Sequence, residues 1–314
     1  MTQNSEHYLS NSSDFLYSFW TSFYGKSSKQ NLFKSIKDYI NNSPVNSFNV
    51  SRALVHASKV YSAISNPSDS YWDDFPDNVR ASLRTLKELS AKAVAPLIIS
   101  AVDKFSPDEF DKLLNYIIVF QVRYVLICEY HTGKYSNAIS EVPAKINSGN
   151  IAKAIKVARE LKEKGIYVND QEFRDALLTY TCTTKKAKMI LASIEGHVSG
   201  GLKLTNPSGS VVNIEHLVPQ TRSQFWNQQV TNIENQEYET WVNRLGNMFL
   251  VSKALNKELK SSDFSIKKTK MHEEIDQFLT SRYVVKCDSW GKAEISGRQE
   301  ELTKEAIKLW RVEF

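Results

Sequence analysis

The sequence predicts a mainly α-helical protein, with a helical bundle over residues 1–184 and a smaller α+β module over residues 185–314. Two observations carry that reading. Eleven glycines and eight prolines in 314 residues are about half the ordinary share, too few for a turn-dense β sandwich. Apolar residues recur three and four positions apart up to about Tyr180, which is the spacing of one helix face, and strand-like runs arise only beyond Thr184.

The elements follow in chain order. Phe15, Leu16, Phe19, Trp20 and Phe23 make a helical stripe that Gly25 closes. Leu32, Phe33, Ile36, Tyr39 and Ile40 give a second amphipathic helix with lysines on its other side, and further helices are expected over 50–64, 78–89 and 94–105. Ser106 reads as an N-cap, with Pro107 at the first helical position and Asp108 and Glu109 in the first turn, opening a long apolar helix through LLNYIIVFQVRYVLICEY. Helices over 151–164 and 171–180 complete the bundle. KKAKMILASIEGHV is a last helix ending near Gly196, and GLKLTNPSGS is a loop. VVNIEHLV follows as a short strand, and the polar stretch after it is irregular with one helix around 238–245. GNMFLVSKALNKEL passes from a glycine turn into a second strand and on into a helix. A lysine-rich helix in KKTKMHEEIDQFLT and an amphipathic helix over 298–310 finish the series.

Lysine and arginine outnumber aspartate and glutamate by 40 to 35, a formal charge of +5 that permits a polyanionic partner without proving one. Cys128, Cys182 and Cys287 stand far apart with no CxxC pair, which excludes a disulfide scaffold and a cysteine zinc knuckle. The N-terminal MTQNSEHYLSNSS lacks the basic flank and apolar core of an export signal, and the longest apolar run, AVAPLIISAV, is short of a membrane span. A soluble cytoplasmic protein without membrane contact is expected. No GxxxxGK[ST], GxSxG or GxGxxG occurs, so bound-nucleotide chemistry is unsupported.

The chemistry concentrates in Ile214-Glu215-His216-Leu217-Val218-Pro219-Gln220, then Leu245-Gly246-Asn247, then Asn256. Neighbouring strand side chains point to opposite faces, so Glu215 and His216 share a site only where the strand twists or ends, and Pro219 implies an end. A carboxylate and a carboxamide oxygen are hard ligands suited to Mg²⁺ or Mn²⁺, and an imidazole titrating near neutrality deprotonates water. Metal and base together suit phosphodiester hydrolysis. One histidine near a strand end is ordinarily structural, and it is the ordered set of Glu-His, Leu-Gly-Asn and Asn that singles out His216.

These residues resemble the HNH, or ββα-metal (His-Me finger), nucleases, and within them the C-terminal nuclease region of GmrSD-type modification-dependent restriction proteins. The pattern of that region is (I/V)EHIxPQ, LGNLxLL, an Asn on the following helix, a Phe and a Lys beyond it, and a closing WxxxxIxxRxxxLxxxAxxxW. It stands here as IEHLVPQ, LGNMFLV, Asn256, Phe264 with Lys267 and Lys268, and Trp290, Ile295, Arg298, Leu302, Ala306 and Trp310. The likeness is strong from about Lys185 to Trp310 and looser before it. It implies a ββα-metal core flanked by helices, with His216 as the general base that activates the attacking water. It further implies that Glu215 and Asn256 hold one Mg²⁺ or Mn²⁺, and that Asn247, on the second strand, orients the His216 ring. The 31 positions from His216 to Asn247 exceed the gap of compact HNH motifs and imply an insertion. The resemblance also implies double-stranded DNA as substrate, restriction of phage or other foreign DNA, and a ParB-like nucleotide-hydrolysing sensor domain or subunit. No DGQQR-like signature of that sensor occurs in these 314 residues.

Between Lys253 and Lys270 six lysines stand against Glu258 and Asp263. Such a run is commonly a solvated face, but beside a nuclease motif it reads as a phosphate-binding surface. Lys260, Lys267, Lys268 and Arg244 are the candidates, Lys267 first because a lysine recurs there in the family pattern. Arg298 reads equally as a phosphate contact or as one side of a buried ion pair. His7, His56, His131, His197 and His272 are read as surface or packing residues. Two other functions stay open at this level. One is a non-cleaving module that binds DNA or a partner through a degenerate nuclease domain; the other is an RNase, since the same motif hydrolyses either backbone.

Overall fold

The computed structural model describes residues 3–201, 211–273 and 276–314. The expected GLKLTNPSGS loop lies from Leu202 onward outside the described residues, as do Glu274 and Ile275 of the lysine-rich stretch. The chain is mostly helical with one two-stranded antiparallel sheet, and it divides into two compact units, residues 1–168 with 312–314 and residues 169–311. No described helix is long and apolar enough to cross a membrane.

The first unit contains α1 (Gln3–Phe23), α2 (Leu32–Asn41), α3 (Pro44–Ser65), α4 (Asp77–Glu88), α5 (Ala95–Ala101), α6 (Pro107–Phe120), α7 (Thr132–Asn147) and α8 (Ala154–Glu163). Its core is the shared apolar side of these helices, with Phe19, Ala57, Val60, Leu83, Ile98, Phe110 and Leu114 almost without exposure. α6 starts as its sequence dictates, the Ser106 hydroxyl accepting from Glu109 N at 3.3 Å ahead of Pro107. A π-helical run over Gln121–Ile127 continues it. α7 has no counterpart among the expected helices. Pro143 inside a polar stretch hid it, yet Tyr135, Ala138, Ile139, Val142 and Ile146 are buried at helical spacing.

The second unit contains α9 (Asp170–Leu178), α10 (Thr184–Val198), β1 (Val212–His216), α11 (Gln228–Thr231), α12 (Tyr238–Val242), β2 (Met248–Ser252), α13 (Lys253–Leu259), α14 (Phe264–Glu273), α15 (Arg282–Val285) and α16 (Lys292–Leu309). It opens at Asn169, ahead of the break expected after residue 184, because α9 packs on α16: Phe173 meets Trp310 edge to face, and Gln299 donates to Leu177 O. The strands pair antiparallel in the register Val212↔Ser252 to His216↔Met248. Ser252 ends β2 and also caps α13, its hydroxyl accepting from Leu255 N at 3.0 Å, so the chain passes from strand to helix without a loop. The core beneath the sheet joins Leu217, Val218, Trp226, Phe249, Val251, Leu255, Leu259, Phe264, Trp290 and Ile295. The 217–247 connection is thus anchored, with fully buried Trp226 donating from Nε1 to Ser262 O.

Gly246 explains one position of the Leu-Gly-Asn run. A Cβ there would overlap the Ile295 carbonyl of α16, so only glycine lets the turn and this helix approach so closely. Gly246→Ala is expected to destabilise the folded chain by about 1–3 kcal/mol, the range for forced overpacking, read as a lowered urea midpoint with unchanged m-value.

Candidate active site at the end of the first strand

Glu215 and His216 are the last two residues of β1, and with Pro219, Gln220, Thr221, Asn256, Lys260 and Ser261 they line a cleft of about 380 Å³. The strand ends at His216, which lets two sequence neighbours share one site. Asn256 lies one turn into α13 and reaches back to β1: its Nδ2 donates to Glu215 Oε2 at 2.8 Å and to Ile214 O at 3.0 Å, and its Oδ1 accepts from Asn213 at 2.8 Å. Three of the expected site residues, Glu215, His216 and Asn256, therefore meet in one cleft.

Asn247 does different work from that expected of it. It ends the turn Leu245–Asn247 immediately ahead of β2 and is fully buried. Its carboxamide accepts from Val218 N at 2.9 Å and from Trp290 Nε1 at 3.2 Å, and donates to Val218 O at 2.9 Å and Val242 O at 3.0 Å. Its backbone carbonyl takes Leu217 N at 3.0 Å. Asn247 thus holds the main chain that follows His216, not the imidazole ring.

Lys267 corrects the sequence reading further. It is fully buried, and its ammonium donates to Glu215 Oε1 at 2.5 Å, His216 O at 3.0 Å and Leu217 O at 3.1 Å. An ammonium has three protons, and all three are used, so Lys267 offers nothing to a phosphate. Burial pushes Glu215 up and Lys267 down, each toward its neutral form, while their mutual attraction opposes both shifts. Three acceptors around the ammonium and two donors on the carboxylate favour the charged pair. Burial and the nearby Lys267 charge hold the His216 imidazole down to about 4, so it is neutral at pH 7. Its Nε2 is covered and has no hydrogen-bond partner among the described residues.

The other cations divide in the same way. Arg244 donates to Gln299 Oε1 and Leu178 O and lies over the Trp241 ring, so its guanidinium serves packing. Lys268 donates to Cys287 O at 2.6 Å and pairs with Asp288 at 3.6 Å. Arg298 is fully buried, donates to the carbonyls of Gly246 and Met248 and lies 3.5 Å from the Phe249 ring centroid, which excludes a phosphate contact there. Lys260 alone of the four candidates is exposed at the cleft, at φ 43° just after α13. Lys253 and Lys257 are also exposed on α13. They stand four residues apart on the helix that carries Asn256, ahead of Lys260. Helical spacing alone was the signal for Lys253 and Lys257.

The residues fit one hard cation. Glu215 Oε2 and the Asn256 carboxamide are adjacent at the cleft, and Asn256 Nδ2 sits between two oxygens, Ile214 O and Glu215 Oε2. With the amide turned over, its oxygen would join those two at the cost of the bond from Asn213 Nδ2, an exchange that a divalent cation would have to offset. Mg²⁺ tolerates so few protein ligands because it keeps waters and takes substrate phosphate oxygens. Among the described residues no group of three or more His, Cys, Asp and Glu is placed to hold an ion.

Asn247→Ala would strip partners from the Val218 amide and carbonyl, the Val242 carbonyl and the Trp290 indole. The expected loss is about 3 kcal/mol or more, at ~1–3 kcal/mol per orphaned group, measured by chemical denaturation.

Residues 167–305 match the family model described as GmrSD restriction endonucleases, C-terminal domain. No curated protein matches this sequence.

Proposed function

From the match of residues 167–305 to the C-terminal domain of the GmrSD restriction endonucleases, we propose that this chain carries a nuclease module of that family and is a metal-dependent DNA endonuclease of the HNH, or ββα-metal, kind. The observation that carries the reading is the meeting of Glu215, His216 and Asn256 in one cleft between the end of β1 and α13. Glu215 and Asn256 hold one Mg²⁺ or Mn²⁺. That ion, when bound, supplies Lewis-acid stabilisation of charge on the scissile phosphate and on the leaving 3′-oxygen.

The chain's own groups do the rest. His216 is neutral at neutral pH and therefore ready to accept a proton from the attacking water without first losing one. Lys260, with Lys253 and Lys257 along α13, holds the phosphate backbone of double-stranded DNA across the cleft. Asn247 and Lys267 hold the main chain that follows His216 and do not touch the substrate. The setting we propose is restriction of foreign DNA, with modification sensed by a ParB-like nucleotide-hydrolysing domain or subunit.

Supercoiled plasmid incubated with the chain and Mg²⁺ or Mn²⁺ is expected to convert to nicked or linear form. His216→Ala should lower the rate by ~10²–10⁴-fold, the usual contribution of a general base, and chelation should stop cleavage. A wild type that is inert with both metals and matches His216→Ala contradicts the reading. Lys260→Ala is expected to weaken DNA binding uniformly across sequences and to reduce the salt slope of log K by about 1, measured by titration at several salt concentrations.

A further inference from the structure

Lys267 lies behind the carboxylate that faces the cleft. Its ammonium is spent on Glu215 Oε1, His216 O and Leu217 O, and it does not line the cleft that Glu215, His216, Asn256 and Lys260 form. Glu215 is therefore pinned by one oxygen and presents the other, Oε2, on the Asn256 side. The formal charges of Glu215 and Lys267 cancel, and Asn256 carries none. The remaining charged residue of the cleft lining, Lys260, is positive. A divalent ion entering this cleft meets one carboxylate and, a few ångströms behind it, an ammonium that repels the ion through a poorly screened interior. The missing negative charge is what a phosphodiester carries.

We propose that Lys267 is a positioning residue that keeps the cation site charge-balanced, so that a divalent ion is held firmly only together with the phosphodiester on which the site acts. The proposal rests on the reading of Glu215 and Asn256 as the ion's ligands. It makes ion and nucleic acid mutually dependent: each raises the other's affinity by the same factor, as linkage requires. It also gives the contact between Lys267 and Glu215 a role beyond the hold of Lys267 on the carbonyls of His216 and Leu217.

The test is Mn²⁺ binding to the full chain, followed by electron paramagnetic resonance or calorimetry, without nucleic acid and with a short DNA duplex in a His216→Ala background that prevents cleavage. The duplex is expected to tighten Mn²⁺ binding by about tenfold or more. Lys267→Met is expected to bind Mn²⁺ about tenfold or more tightly than the parent without duplex, because the ion becomes the sole counter-charge of Glu215. A lysine with a merely structural role would give the opposite sign, since its loss would loosen the site. Affinity unchanged by duplex, or a folded Lys267→Met chain that binds no more tightly, overturns the proposal. The duplex comparison needs no change at Lys267, so its failure overturns the proposal even where the Met variant does not fold. Glu215→Gln separates the two levels: if it binds Mn²⁺ as the parent does, the ligand assignment falls and the proposal with it. Loss of binding in Glu215→Gln with unchanged affinity in Lys267→Met overturns the proposal alone.

Discussion

The site depends on how the chain leaves β1. Residues 216–218 turn away from the strand inside the core, with Leu217 and Val218 fully buried, so their main-chain polar groups are out of reach of water. Each must find a partner in the protein or cost stability. Asn247 answers from one side, meeting Leu217 N and both main-chain groups of Val218. Lys267 answers from the other, meeting the carbonyls of His216 and Leu217. These two buried side chains come from positions 29 to 51 residues along the sequence, and together they fix the one turn that aims His216 and Glu215 at the same cleft.

The second layer holds the first in place. α16 brings Arg298 to the carbonyls of Gly246 and Met248, and Gln299 to Gly246 N, so the turn that carries Asn247 is gripped by a helix. Trp290, just ahead of α16, packs on Phe249 and donates to Asn247 Oδ1. α14 begins where Asp263 takes Ile266 N, which puts Phe264, Lys267 and Met271 on its buried face. Closing the site so completely gives the imidazole its neutral state, because burial and the Lys267 charge both oppose protonation.

Much of this was legible in the sequence. The Glu-His, Leu-Gly-Asn and Asn256 set named three residues that meet at the cleft, and the apolar spacing named most helices. The misreading of Lys267 came from taking charge as exposure. Lys267 stands between Phe264 and Met271 at i, i+3 and i+7, and Arg298 between Ile295 and Leu302 at the same spacing, so helical periodicity already placed both inside. What periodicity does not give is the partner. That Lys267 meets Glu215, 52 positions away, depends on the packing of α14 beneath β1, and no local pattern encodes it. Asn247 was likewise located correctly but assigned the ring rather than the main chain, since sequence order does not say which atoms of a neighbour a carboxamide will meet.

The account makes one claim that other claims build on: that the carboxylate and carboxamide at the end of β1 gather a cation while Lys267 keeps its hold on Glu215. Anomalous scattering from a crystal of the His216→Ala chain with Mn²⁺ and a DNA duplex tests it directly. The account predicts a single strong peak within coordination distance of Glu215 and Asn256, a phosphate oxygen beside it, and the Lys267 ammonium still on the other carboxylate oxygen. A peak elsewhere in the chain, or a Lys267 swung out to the phosphate backbone, would contradict it.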